Sequence, residues 1–384
     1  MTQRPIRVLT IGHSYVVALN QQVPAALARN PGIDLTLAAP TFHYGDLRRI
    51  HLEKRDDPGY RIVALKARMT SKNHIFWYDH RALRQLIIEG RFDIVHAWEE
   101  PYTYSGYQIA RATRGTNAKF VFLSLQNIAK RYPWPFRHFE SETVRRADGW
   151  IAGGTLVREA MVAKGFPADT VRVIPLAVDT SAFRPLTVAH RQGVLDELGL
   201  SPPVIGFLGR LVEEKGFRVL MRALDNVQSP WSLLVLGSGP YKEVLEQWAK
   251  VRGLGDRVLV QLASHEEVPR YLAAVDMLVA PSQTLPHWKE QFGRMLVEAF
   301  ACRVPVVGSD SGEIPFVIGD AGVVVPEADS DGWCHAITTL LTDHAERERL
   351  ADAGHRRAAT TFSVDRVAEQ HLELFTQLSE GRRS

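Results

Sequence analysis

Cysteine is nearly missing: Cys302 and Cys334 are the only two in 384 residues. Two thiols build neither a disulfide framework nor a metal cluster by themselves, and such sparse use fits a reducing compartment. No apolar run approaches the ~18 residues needed to span a bilayer. The chain goes almost directly into a strand-like run, Ile6 to Ile11, with no leader-type apolar core and cleavage site ahead of it. Low-complexity segments and short-period repeats are absent. The expectation is a cytoplasmic protein whose membrane contact, where there is any, is peripheral at the inner face. Acidic residues are also scarce at first. Residues 1–150 hold 22 Lys and Arg against 13 Asp and Glu, whereas the remainder holds 24 against 30. A basic first half beside an acidic second half implies that only the first meets an anionic partner, or else that it simply carries a solvated basic face. Nucleic acid is not an expected partner.

A chain of this length suits two domains, and 45% hydrophobic with 23% charged residues is ordinary for a globular protein. Buried-strand patterns recur at Ile6–Ile11, Asp34–Ala39, Phe92–Trp98, Lys119–Ser124 and Trp150–Ala152, with helical stretches between them. They restart at Val204–Leu208, Ser232–Leu236, Val258–Leu262, Met277–Ala280, Val304–Val307 and Gly322–Val325. Strand, helix, strand at this spacing is the signature of parallel α/β sheets. Arg48 to Lys72 is basic and poorly periodic. Pro175, Pro185, Pro202 and Pro203 mark a linker, and the tail from Asp331 onward reads as helical. The expected fold is α/β, two doubly wound Rossmann-like domains, and ligands in such sheets bind outside the carboxyl ends of the strands. That places an active site in a cleft between domains.

Candidate chemistry sits at those strand ends. The stretch Pro281 to Ala299 carries Glu290 and Glu298, eight positions apart, around Gly293. A strand end, a glycine and a helix start present free backbone N–H groups to an anion. Spacing alone sets Glu298 near the sugar of a bound sugar phosphate. Arg210 and Lys215 follow the first strand of the second half. Arg210 can chelate a phosphate with two N–H bonds and Lys215 adds a point charge; a surface ion-pair set with Glu213 and Glu214 would use the same residues. Leu236-Gly237-Ser238-Gly239-Pro240 opens like a dinucleotide fingerprint but has Lys242 at the third-glycine position, so it reads as a tight turn. In the first half, His96 and Trp98 alternate along one strand and share a side. Glu99 and Glu100 follow, and a general base could sit here; a packed, hydrogen-bonded His96 is the alternative. His13, just past Gly12, is a further acceptor-side candidate.

Taken together, Gly209-Arg210 to Lys215-Gly216, Glu290-Gln291-Phe292-Gly293 to Glu298-Ala299, and Val173 through Pro185 resemble the group 1 family of GT-B glycosyltransferases, whose characterised members mostly retain anomeric configuration. Gly308-Ser309-Asp310-Ser311-Gly312-Glu313-Ile314-Pro315 resembles the family's glycine-rich donor loop. The resemblance covers roughly residues 145–375. It implies a nucleotide-diphosphate-sugar donor as co-substrate, with no other cofactor and no metal. The acceptor is not readable: the basic first half fits a lipid-linked or other anionic one, as in cell-surface polysaccharide synthesis, but a solvated face explains it too. The resemblance implies that Arg210 and Lys215 bind the diphosphate, together with Gly12 and the backbone at Phe292, Gly293 and Arg294. Glu298 then holds the ribose, reversing the spacing argument, while Glu290 and Gln291 face the donor sugar. It divides the chain at 1–183, 184–361 and a last helix, 362–384, crossing back to the first domain. Two departures stand out. Trp98 occupies the place of the second histidine in the family's His-x-His, so that either His96, Glu99 or Glu100 takes its role or the enzyme uses no histidine, with Glu290 as the other catalytic candidate. Phe316 replaces the glutamate that commonly follows the donor-loop proline. A nucleotide-sugar epimerase and a non-catalytic nucleotide-sugar-binding protein are the competing readings, separated from a transferase by assaying donor hydrolysis and transfer. On this reading Arg210→Ala and Lys215→Ala each lower transfer and leave the fold intact.

Overall fold

The computed structural model describes residues 4–45, 49–56 and 59–381. Arg48 of the basic stretch and the last residues, 382–384, lie outside them. The chain forms two compact units, residues 1–175 with 364–384, and residues 176–363. Both are parallel α/β sheets.

The first unit is built on seven strands: β1 (Ile6–Ile11), β2 (Ile33–Pro40), β3 (Arg61–Leu65), β4 (Ile94–Ala97), β5 (Lys119–Ser124), β6 (Gly149–Ala152) and β7 (Val171–Val173), in the order β7-β6-β5-β4-β1-β2-β3. Strand order reverses direction at β1, between β4 and β2, the kind of switch point where open α/β sheets bind ligands. The strands read as continuous apolar runs because helices cover both faces of the sheet. Val8, Leu9, Ile11, Ile94, Val95, Phe120, Val121 and Phe122 are all fully buried. Two short antiparallel ribbons, Phe42–Tyr44 with Arg49–His51 and Ala67–Arg68 with Trp77–Tyr78, each set one strand in the basic stretch and one just outside it.

The second unit has six strands: β8 (Val204–Leu208), β9 (Ser232–Leu236), β10 (Val258–Gln261), β11 (Met277–Ala280), β12 (Val306–Ser309) and β13 (Val323–Val325), in the order β10-β9-β8-β11-β12-β13. The division lies between Pro175 and Leu176, ahead of the expected boundary after 183. Val178 and Phe183 explain this, since both belong to the second unit's core with Phe292 and Phe300. The charged helix inside the expected linker, Val188–Leu198, buries Val194 and Leu195 in the same core. The helical tail breaks at Ser363, whose backbone is extended, and Val364–Glu380 is the last helix. It belongs to the first unit. Val367, His371, Leu374 and Phe375 form its buried face, at the i, i+4 and i+3 steps of an amphipathic helix.

Phe375 is 1% exposed and its ring lies 5.6 Å from that of His96 on β4. Phe375→Ala is expected to destabilise the first unit by about 3–5 kcal/mol, the cost of an uncollapsed aromatic cavity. Denaturant melts followed by first-unit tryptophans check it, and a loss under about 1 kcal/mol would show that the last helix is not part of this core.

Candidate functional site

In the second unit the chain leaves β11 at Pro281, loops out, and re-enters as the helix Arg294–Ala301. Two glycines hold that loop in place. A Cβ on Gly216 would lie 1.7 Å from the Pro281 carbonyl oxygen, and one on Gly312 would lie 2.0 Å from that of Glu290. Both glycines also have positive φ, +75° and +58°, so only glycine fits without strain. Further bonds fix the loop. The Glu313 N–H donates to the Glu290 carbonyl at 3.0 Å, and the Gln283 N–H to the Glu214 carbonyl at 2.8 Å. Thr284 N–H donates to the Glu327 carboxylate at 2.7 Å.

Inside this frame Lys215 Nζ pairs with Glu290 Oε2 at 2.5 Å, and both side chains are about nine-tenths buried. Ser282 Oγ donates to the same Glu290 oxygen at 2.9 Å. The Lys215 ammonium also lies 5.2 Å from the centre of the Trp288 ring, within cation–π range. The spacing of Arg210 and Lys215 suggested ion pairs with Glu213 and Glu214. Arg210 does approach Glu214, at 3.5 Å, with its side chain 59% exposed, but Lys215 goes to Glu290 instead. The expectation that Lys215→Ala leaves the fold intact therefore needs correcting, because that change strands Glu290 as a buried charge.

Gly293, with φ +80°, caps the N-terminus of the helix that follows. Phe292 is 4% exposed and packs edge-on against Phe362 at 5.9 Å, so at this position only the backbone is available to a ligand. Gln291 and Arg294 are exposed. Glu298 lies one turn beyond Arg294 and is half-buried. Among the described residues no side chain is hydrogen-bonded to its carboxylate. Burial pushes its pKa up to about 7, against the pull of Arg294. The two carboxylates of this stretch are thus in different states: Glu290 is locked into an ion pair, while half-buried Glu298 has no hydrogen-bonding partner among the described residues.

In the first unit, β1 and β4 end side by side at Ile11 and Ala97. Gly12 gives room to Trp98, whose Cβ would be 2.8 Å from a Cβ placed there. His13 then turns toward Glu99. Its N–H donates to Glu99 Oε1 at 2.8 Å and its Nδ1 bonds Oε2 at 2.9 Å. Tyr78 Oη and Ser105 Oγ each donate to the same carboxylate at 3.2 Å. The His13 side chain keeps 28% exposure and Glu99 only 1%. Burial works against protonating His13, but the Glu99 charge and bond outweigh it and raise the pKa.

His96 does not join this group. It is 3% exposed, bonds Thr10 Oγ1 through Nδ1 at 3.1 Å, and packs against Trp98, His371 and Phe375. Burial, with a contribution from His371, holds its pKa well below the ordinary value. Trp98 packs in the same cluster, beside Tyr15 and His371. Glu100 accepts from Ser124 Oγ at 2.8 Å and the Leu125 N–H at 2.7 Å, and burial raises its pKa to about 7. It fastens the end of β5. Tyr78 and Ser105 were absent from the sequence candidates, since each lies on an element distant in the chain from His13.

The two sheets with helices on both faces define the GT-B class of α/β proteins. Residues 196–357 match the family described as Glycosyl transferases group 1, and residues 25–182 match Glycosyltransferase Family 4. The chain belongs to the group 1 family of GT-B glycosyltransferases. It is 32% identical to the D-inositol 3-phosphate glycosyltransferase of Xylanimonas cellulosilytica over 63% of this chain and 60% of that one. It is 29% identical to the alpha-maltose-1-phosphate synthase of Mycolicibacterium smegmatis over 62% and 66%. The chain thus spans less than two thirds of the length of these curated relatives. Among solved structures, a glycosyltransferase of Rickettsia africae superposes with TM-score 0.79 at 16% identity, covering 98% of this chain and 99% of that one. Anabaena HepE in complex with UDP does so with TM-score 0.77 at 18% identity, covering 97% and 100%. These likenesses show the fold.

Glu298 supplies a pH test. Its carboxyl holds a proton in the folded protein between the ordinary carboxylate pKa and about 7, where the unfolded chain has lost it. Stability therefore falls as pH rises through that window. Glu298→Gln is expected to raise stability by on the order of 1–3 kcal/mol at about pH 8 and to change it little at about pH 4. Thermal melts of both proteins at the two pH values check this, and an equal shift at both would show that ionisation is not the cause.

Proposed function

We propose that this protein transfers a sugar from a nucleotide-diphosphate sugar to an acceptor hydroxyl, with retention and without a metal ion. The observation that carries the reading is the pair of unlike carboxylates beside a buried lysine on a glycine-clamped loop. Lys215, Arg210 and the N–H groups at the start of the helix Arg294–Ala301 supply positive charge for a diphosphate. Glu298 supplies a carboxylate for the ribose diol, and two charge-assisted bonds would offset its burial. Glu290 and the backbone around Gln291 face the sugar. The complex of HepE with UDP and glucose supports such a donor. The names of the two curated relatives speak of an inositol phosphate and a maltose phosphate, and a phosphorylated acceptor also suits the basic first unit. We read the partner of that unit as an anionic surface.

The reaction makes a bond between the acceptor oxygen and the anomeric carbon and breaks the bond from that carbon to the diphosphate. The leaving diphosphate gains charge, which Lys215 and the helix terminus stabilise most in the transition state. The acceptor proton passes to the departing phosphate oxygen. In the first unit, Glu99 fixes the Nδ1–H tautomer of His13 and leaves Nε2 with a lone pair. His13 orients the acceptor by accepting there a hydrogen bond from a hydroxyl next to the attacking one. Only neutral His13 can do so.

Lys215→Ala with Glu290→Gln, which removes both buried charges together, is expected to stay folded and to lower transfer at least about a hundredfold. A folded double variant with transfer near wild type overturns the donor reading. Glu99→Gln removes the charge that raises the His13 pKa, so the acid limb of the transfer rate should move to lower pH. A pH–rate profile with an unmoved limb rejects His13 as the group that orients the acceptor.

A further inference from the structure

Trp134 is 78% exposed, the most exposed aromatic side chain among the described residues. It sits between Pro133 and Pro135, in the loop joining β5 to the helix Phe136–Arg146. From Leu125 to Phe139 the sequence contains no acidic residue, while Lys130, Arg131 and Arg137 are all exposed. The loop is anchored at its base. The Tyr132 ring stacks on Tyr102 at 4.2 Å, and its hydroxyl donates to Gln126. Lys164 covers the same ring at 4.6 Å and pairs with Glu140 at 2.5 Å. Prolines on either side fix φ and narrow the chain's freedom. The indole is therefore presented outward on a braced turn.

This turn continues into a strip of rings. Tyr102 contacts His74, His74 contacts Phe136, and Phe136 contacts Phe139. Phe139 stacks on Tyr107 at 4.9 Å. Tyr107 opens onto a groove of about 600 Å³ between the helices His80–Gly90 and Tyr104–Ala112. Arg84, Arg111 and Arg114 line that groove, and no carboxylate does. The nearby Glu142 is already paired with Arg114 and Arg145.

We propose that this face of the first unit docks on a bilayer surface rich in anionic lipid. Trp134 enters the headgroup layer, and Lys130, Arg131, Arg137 and Arg111 meet the phosphates. The inference rests on the reading above of an anionic surface as the first unit's partner and names where and how contact is made. Indole rings favour the membrane–water boundary because one edge is apolar and the other donates a hydrogen bond. Cations near an anionic leaflet add attraction that salt screens. A protein partner would bury roughly 800 Å² per side around an apolar centre. One projecting ring among cations matches a bilayer instead. An acceptor hydroxyl carried on an anionic lipid would be met at this surface.

The test uses the full chain in flotation with phosphatidylcholine vesicles, with and without phosphatidylglycerol. Wild type should float with the anionic vesicles alone and lose binding in high salt, and brominated lipid should quench its fluorescence. Trp134→Ser should lower partitioning roughly tenfold and abolish the quenching. Lys130→Glu with Arg131→Glu and Arg137→Glu should abolish flotation. Both variants should keep the wild-type melting temperature and its upward shift with UDP-sugars or GDP-sugars. A wild type that fails to float, floats equally on neutral vesicles, or is matched by Trp134→Ser overturns the surface, whatever the nucleotide shift. A wild type that floats but shows no shift with any nucleotide sugar overturns the donor reading and leaves the surface standing.

Discussion

The second unit depends on one buried ion pair. Taking Lys215 and Glu290 out of water costs several kcal/mol for each ion, and their attraction offsets that cost only with close geometry and further hydrogen bonds. Here Ser282 satisfies the carboxylate and the Trp288 ring lies against the ammonium. Lys215 belongs to the turn after β8, and Glu290 to the loop after β11. The pair therefore ties together the exits of two neighbouring strands. Gly216 and Gly312 make the same tie from the backbone side, by allowing contacts that a methyl group would forbid. Removing either charge alone would cost about 3–5 kcal/mol, so binding chemistry and loop structure cannot be separated by a single truncation there.

The first unit uses a charge pair differently. Glu99 accepts bonds from His13, Tyr78 and Ser105, and those donors stabilise its charge so that it can orient the partly exposed imidazole. In the second unit both partners are buried. In the first, only the carboxylate is, and the histidine keeps one side toward solvent. Burial decides which group is structural and which is available. The same criterion removes His96, whose ring is closed in by Phe375 and His371 of the last helix.

Much of the fold could be read from the chain. Runs such as Val204–Leu208 and Lys119–Ser124 are apolar on both faces and end at turn residues, so their bounds followed from composition. The Phe42–Tyr44 and Trp77–Tyr78 ribbons gave no such signal, because two or three residues show no period. Lys215, Glu290 and Glu298 were legible as candidates from their places after strands. That Lys215 meets Glu290 and not Glu214 was not, since the two are seventy-five residues apart and local spacing favours the nearer acid. The alternation of His96 and Trp98 said that they share a side of the strand, but not that a helix from the far end of the chain covers it. His13 and Glu99, eighty-six residues apart, meet only because β1 and β4 are neighbours in the sheet.

Glu298 and Trp134 share one property. Each is a group in the wrong solvent for the isolated protein: a half-buried carboxylate with its pKa lifted to about 7, and an indole largely exposed to water. Neither side chain has a hydrogen-bonding partner among the described residues, whereas Lys215, Glu290 and Glu99 each do. Marginal stability makes such uncompensated costs visible, and a sequence whose local choices mostly agree with its fold tends to break that agreement where it binds something else. A diol answers the first cost with hydrogen bonds, and a headgroup layer answers the second by removing apolar area from water. The two sites call for chemically opposite ligands, one polar and small, the other extended and amphipathic, and they lie in different units. On the two proposals above, donor recognition and surface attachment are therefore separable by mutation.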